Sequence, residues 1–315
     1  MKFSSMLLEV ISITAPIFIV IAIGFLIKKK NIISKDGVGL LNKLAYNIGL
    51  PSLIFLSITN YNLSDIFNVQ IVKVIYLTYA VLILLTILIN FVIRRSGKTK
   101  GAIIVASFRC NMAFVGFPII LAAYGNLALA KASLVVAFLV PINIMATIII
   151  FKFYNRREEG IGIGGLLLSF VKDPMIIGVA LGILFSYFRI PVPEVLHSSL
   201  DIISAMTVAI ALLSIGASFR FVHLKNDFKM VSYTGFNKLI LLPALVFIFS
   251  TFVFKVETFD RNVMVILFAT PLAVAAYIMA KELRSNYQML ASALILTTIA
   301  SALTISAWLL LFKFI

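Results

Sequence analysis

The chain alternates between apolar runs of about 20 residues and short polar stretches. A helix of that length crosses a hydrocarbon core of about 30 Å. Ten such runs are predicted to span, at 7–28, 37–58, 71–93, 101–123, 129–152, 174–188, 199–218, 235–254, 261–282 and 288–313. The apolar segment GIGGLLLSF (162–170), just before the short sixth run, is read as lying along the membrane surface. A transmembrane barrel would instead alternate polar and apolar residues over short segments. The pattern predicts an all-α polytopic membrane protein with ten transmembrane helices. The first run continues through GFLIKKK without a small-residue cleavage site, so it is read as a spanning helix and not a removed signal peptide.

Composition agrees. Of 315 residues, 62% are hydrophobic and 12% charged, about half the charge of an ordinary soluble domain. The net charge of +15 sits in alternate loops. Loop one carries Lys28, Lys29, Lys30 and Lys35, and loop three carries Arg94, Arg95, Lys98 and Lys100. Loop five carries Lys152, Arg156, Arg157 and Lys172, loop seven Arg220, Lys225 and Lys229, and loop nine Lys281 and Arg284. The second loop, TNYNLSDIFNVQ, has no lysine or arginine. Positive residues stay on the cytoplasmic side, so the odd loops are expected inside and both termini outside, extracellular or periplasmic, in a cell membrane. The basic excess then faces anionic lipid, and no nucleic-acid motif accompanies it. A single cysteine, Cys110, excludes an intrachain disulfide and a multi-cysteine metal site. Only His197 and His223 are present, both near predicted loops, with no HExxH and no intramembrane aspartate pair. Nothing points to an enzyme or to a resident cofactor.

Ten spans divide into five and five: residues 1–152, a cytoplasmic linker at 153–173, and residues 174–315. An odd number of spans per half inverts the second half relative to the first, a common plan in transporters, with the substrate site near the midplane. Residues 101–134 align without gaps on 261–294. Phe108 then meets Phe268, Ala113 meets Ala273, Asn126 meets Asn286, and Asn111 meets Pro271.

The fourth span contains SFRCNMAFVGFPIILAAYG (107–125). Arg109 lies about 12 Å into it at 1.5 Å per residue, and a guanidinium at that depth costs several kcal/mol unless water, a counter-ion or a substrate offsets it. It either takes the carboxylate of an anionic substrate or holds backbone carbonyls freed by a helix break. Pro118 removes a helix hydrogen bond and Gly116 weakens the same turn. Unwound backbone at this depth needs a protein or water-filled surround and supplies ligands for substrate or cation. Asn111 either binds substrate or caps the freed backbone. Pro271 plays the matching part in the ninth span, and Thr270 can bond the carbonyls it frees. Tyr277 either lines the cavity or packs. Asn47 and Pro51 in AYNIGLPSLIF form a third break, with Asn47 a substrate contact or an interhelical hydrogen bond. Glu9 and Asp201 are the acids in or near apolar spans away from basic loops, and so the candidates for ion coupling. Lys131 and Lys238 are expected to snorkel.

Several stretches resemble the auxin efflux carrier family, whose bacterial members include malate and malonate permeases. GFLIKKKNIISKDGVGLLNKLAYNIGLPSLIF (24–55) resembles the family's opening, and RCNMAFVGFPIILAAYG its fourth-helix pattern. VKDPMIIGVALGIL (171–184) and FATPLAVAAYIMAKEL (268–283) are similar to the family's sixth-helix start and ninth helix. The resemblance implies two inverted five-helix halves whose broken fourth and ninth helices cross at the membrane centre, as in bile-acid sodium symporters. It further implies a secondary transporter working by alternating access on a small organic anion, a dicarboxylate or auxin-like carboxylate. The short central loop, and Cys110 where plant members carry proline, resemble the bacterial branch more. The alternative on the same fold is a sodium-coupled organic-anion symporter, with freed carbonyls near Asn111 and Pro271 as sodium ligands. Sodium or protons are the candidate coupling ions, and a homodimer is the candidate assembly.

Overall fold

The structure is a computed structural model that describes residues 2–92, 94–155, 171–219 and 228–314. The surface segment expected at 162–170 and most of the linker lie outside the described residues. The rest is helical: α1 (Lys2–Lys29), α2 (Lys35–Leu44), α3 (Leu50–Thr59), α4 (Leu63–Ile66), α5 (Val69–Val92), α6 (Gly97–Phe108), α7 (Phe117–Asn155), α8 (Pro174–Tyr187), α9 (Glu194–Ala217), α10 (Phe228–Phe236), α11 (Leu242–Ile248), α12 (Thr258–Phe268), α13 (Val274–Glu282) and α14 (Tyr287–Leu311). Among the described residues six stretches are long and apolar enough to cross a membrane: Phe3–Lys29, Val69–Val92, Met112–Asn155, Glu194–Ala217, Phe228–Val253 and Tyr287–Leu311. Helix α8 is apolar but shorter. The outer faces are apolar too, with Leu303 78% and Ile202 74% exposed, as suits a surface wetted by lipid.

Of the four π turns among the described residues, Phe249–Val253 stands apart, and the other three stand just ahead of a proline: Ala45–Gly49 between α2 and α3, Met112–Gly116 before α7, and Asn237–Leu241 between α10 and α11. Each ends two residues before a proline, at Pro51, Pro118 and Pro243. The residue ahead of the proline donates five residues back: Leu50 to Ala45 O, Phe117 to Met112 O, Leu242 to Asn237 O. A proline ring clashes with the carbonyl four residues earlier and offers no donor, and the wider turn relieves both. The expected break at Asn47–Pro51 is therefore a bulge in a helix that continues past it. In α7 the chain turns sharply at Gly125, whose φ of 76° and ψ of −167° lie in a region open essentially to glycine alone.

True breaks occur twice. Helix α6 stops at Phe108, and α12 stops at Phe268 before α13 begins at Val274. The unwound segments meet as a short antiparallel ladder. Cys110 faces Leu272, Asn111 N–H donates to Pro271 O at 2.8 Å, and Ala273 N–H donates to Arg109 O at 3.1 Å. Leu272 N–H donates to Thr297 Oγ1 of α14 at 3.1 Å. Two interrupted helices thus supply each other's backbone hydrogen bonds.

The helices pack as two groups. One holds α1, α2–α3, α8 and α9; the other holds α5–α7 and α10–α14; contacts of α1 with α14 and α3 with α7 join them. Within the first group α1 and α9 touch backbone to backbone. A Cβ on Gly216 would lie 1.8 Å from Ile21 O, and one on Gly24 would lie 2.1 Å from Leu213 O. Small residues permit such approach between membrane helices. Gly216→Ala is expected to cost at least about 2 kcal/mol through overpacking, whereas Gly39→Ala, which meets nothing within 4 Å, should gain up to about 1 kcal/mol of helix propensity. Thermal unfolding of the two variants should bracket the parent.

Candidate functional site

A cavity of about 370 Å³ lies between the two groups. The first group contributes Asn42, Lys43, Tyr46 and Asn47 from the α2 side and Met175 from α8. The second contributes 109–114 from the crossing, one face of α7 including Val136 and Asn143, and 273–275 with Ile278. The halves of α2, α7, α8 and α13 that line it run towards the lysine- and arginine-rich loops. The wall is largely aliphatic, with polar side chains from the α2 side and α7 as well as Arg109 and Asn111 at the crossing.

The crossing sorts backbone charge. A helix carries about half a positive charge at its N-terminus and half a negative charge at its C-terminus. The segments resuming after the breaks, at Met112 and Val274, both begin on the cavity wall. Neither has a side-chain cap, whereas α2, α6, α8 and α14 are capped by Ser34, Ser96, Asp173 and Asn286. The first N–H groups of a helix have no partner within it, so the two uncapped starts present donors and positive potential to one space.

Arg109 adds a full charge. Its side chain is 7% exposed, its Nε has no hydrogen-bond partner, and one terminal nitrogen approaches Met279 Sδ at 3.9 Å. Among the described residues no carboxylate lies within ion-pair distance of it; the ion pairs there join Lys131 to Asp260 and Lys313 to Glu9. Asn111 Nδ2, also buried on this wall, is likewise unpartnered. Among the described residues, then, the cavity is lined by donors and cations and by no carboxylate. Asp173 sits behind the wall, accepting from Tyr46 Oη at 2.7 Å and from the first amides of α8.

Of the residues singled out in sequence, Arg109, Asn111 and Asn47 meet at the cavity. Gly116, Thr270 and Pro271 belong to the crossing itself. A Cβ on Gly116 would lie 2.9 Å from Leu267 Cδ2, and Thr270 Oγ1 donates to Leu267 O at 2.7 Å. Pro118 is buried one turn further on, and Pro51 backs onto Gly178 of α8. Tyr277 packs edge-on against Tyr287, with ring centroids 6.3 Å apart. Glu9, exposed, pairs with Lys313 at 2.6 Å, and Asp201 is exposed on α9; neither reaches the cavity. The carbonyls considered for sodium are already engaged. Pro271 O and Arg109 O close the ladder, Phe108 O lies 3.1 Å from Tyr79 Oη, and Phe268 O accepts from Lys238 at 2.9 Å.

The two lysines do not snorkel. Lys238 is fully buried, and Lys131 ion-pairs at 2.5 Å with Asp260, itself 2% exposed. Each has a strong acceptor inside the protein, which removes the reason to reach for the interface. The cavity residues Asn42, Lys43, Tyr46 and Asn143 escaped the sequence reading. The first three are spaced with Asn47 at i, i+1, i+4 and i+5, a polar stripe on one helical face, and Asn143 is a lone amide in an apolar run.

A family model described as membrane transport protein matches residues 9–162 and 164–309. The chain is similar to the uncharacterized transporter MJ1031 of Methanocaldococcus jannaschii, 24% identical over 299 residues that cover 93% of this chain and 95% of the relative. An uncharacterized transporter of Methanothermobacter thermautotrophicus is 23% identical over 296 residues, covering 93% and 95%. The uncharacterized transporter YfdV of Escherichia coli is 22% identical over 237 residues, covering 72% and 74%.

Proposed function

The chain belongs to the membrane transport protein family, the auxin efflux carrier family that its motifs resemble, and from that premise we propose that it is a secondary carrier for a small organic anion. It is an integral membrane protein and a transporter, not an enzyme. The observation that carries the anion reading is the buried guanidinium of Arg109, unpaired beside two uncapped helix starts that face the same cavity. An anionic carboxylate is the missing partner: its two oxygens match the planar fork, and the aliphatic wall takes an apolar body. Dicarboxylates and auxin-like acids both satisfy this chemistry.

Alternating access follows from the cavity's position. It separates two helix groups, so a rigid movement of one against the other would close the present mouth and open the far side. With the basic loops inside, the present form faces the cytoplasm and both termini lie outside. Ten crossings arranged as two inverted halves, 1–152 and 174–315, account for the ladder. The internal alignment pairs Asn111 with Pro271, and these residues face each other there, where a two-fold axis relating the halves would pass. Tyr79 and Lys238 each reach the last carbonyl of a broken half, Phe108 and Phe268.

A thermal-shift panel tests the substrate class. Small mono- and dicarboxylates should raise the melting temperature by an amount that grows with the logarithm of affinity, while amines and neutral amides of the same size should not. The best binder should then exchange across liposomes holding the purified protein. Stabilisation by amines and not by acids would overturn the anion reading.

A further inference from the structure

Lys238 is a lysine with no access to solvent, set in the π turn between α10 and α11. Its ammonium donates to Phe268 O, the final carbonyl of α12, at 2.9 Å. Its neighbour Asn237 reaches the other broken helix, with Nδ2 3.3 Å from Ser107 Oγ near the end of α6. The two broken ends are close to each other. The Cys110 thiol lies 3.3 Å from Phe108 O and 3.7 Å from Phe268 O, and the Tyr79 ring packs on both Phe108 and Phe268.

Two helix C-termini therefore converge in a dry interior. Each carries about half a negative charge, and together they amount to about one. Left alone, that potential would draw in a small cation, as freed carbonyls and half-helix C-termini do in transporters. No carboxylate among the described residues pairs with Lys238. The converging carbonyl ends are its counter-charge, and Arg109 points its guanidinium elsewhere, towards Met279.

We propose that Lys238 is a tethered cation occupying the place between the two broken helix ends that an alkali ion would otherwise fill, so that the crossing assembles without bound sodium. The crossing then has opposite characters on its two sides. The C-terminal ends are neutralised permanently by a side chain, and the N-terminal starts are left open to a diffusible anion.

The test is thermal unfolding of the full chain in detergent, without any carboxylate, at constant ionic strength, so that its outcome does not bear on the anion reading. Sodium chloride is exchanged stepwise for N-methyl-D-glucamine chloride. The parent protein should melt within about 1 °C in both, whereas a filled sodium site would move it by about 3 °C or more at tenfold excess over the dissociation constant. Lys238→Ala opens a space at the carbonyl ends. It should melt lower than the parent and regain about 3 °C with sodium or with propylammonium, which replaces the deleted group. Lys238→Gln keeps a donor without the charge and should melt below the parent. A saturable rise of the parent with sodium would overturn the proposal. So would a folded Lys238→Ala that answers to neither cation, or a Lys238→Gln that melts like the parent. Where the alanine variant does not fold, the parent titration and the glutamine variant decide.

Discussion

Arg109→Ala should abolish the thermal response to carboxylates and slow anion exchange at least about 100-fold, while the unliganded protein melts no lower than the parent. The two halves of that outcome come from one observation. A guanidinium that meets a carboxylate in a buried site makes charge-assisted hydrogen bonds, and removing one partner of a buried charge pair costs about 2–5 kcal/mol. At 1.4 kcal/mol per tenfold, the middle of that range is two to three orders of magnitude in affinity. Without ligand the same group is a burden, because its Nε is unsatisfied and no carboxylate among the described residues lies within ion-pair distance of it. Taking away an uncompensated buried cation relieves a desolvation cost. A guanidinium whose job was to hold freed carbonyls would behave oppositely, since its loss would unpair the crossing and lower the melting temperature. Those carbonyls have other donors: Ala273 on Arg109 O, Asn111 on Pro271 O, Lys238 on Phe268 O. Arg109→Lys should fall between parent and alanine, keeping the charge and losing the planar fork. Full exchange by Arg109→Ala, or a marked drop in its unliganded stability, would make the residue structural.

Much of this site was legible because its signals are local. Pro118 and Gly116 sit in one short stretch, Thr270 and Pro271 in another, and a charge or a proline inside an apolar run is visible to anyone counting residues. The gapless alignment of 101–134 on 261–294 even matched the two residues that meet in the ladder. What stayed hidden was pairing across sequence. Asp260 stands at the head of a helix next to Arg261 and reads as a loop charge, yet its partner Lys131 is 129 residues away. Lys238 reads as an interfacial lysine because nothing nearby shows that the end of another helix will be aimed at it. Glu9 and Asp201 drew attention as isolated acids and proved exposed. In a chain this apolar, an isolated charge on a lipid-facing helix end and a charge buried in a bundle look alike until the facing helix is known. The π turns were half legible: the prolines mark the place, but whether a helix breaks or merely bulges depends on whether another backbone arrives to take the freed groups. At 110 and 272 one does; at Pro51 none does.

Lys131→Met and Asp260→Leu should each destabilise the protein by about 3–5 kcal/mol, and the two together should cost far less than either alone. Asp260 is 2% exposed, and it also accepts from Asn68 Nδ2 at 3.1 Å, so its charge is matched by an ammonium and an amide. Removing one partner of such a pair strands the other charge where water cannot reach it, whereas replacing both with apolar groups of similar size is often neutral. A double-mutant cycle on melting temperatures reads the difference directly. The position gives the pair its interest. It joins α7 to α12 at the ends away from the cavity mouth, where the Lys131 ammonium also stands 5.7 Å from the Phe259 ring. Both helices belong to the group that carries the crossing, so the pair should stay closed while the two groups move past each other. The apolar double variant should then regain stability and keep exchanging anion at close to the parent rate. A double variant that folds as well as the parent but has lost exchange would place this pair among the contacts that change during transport, and would require α7 and α12 to part at that end.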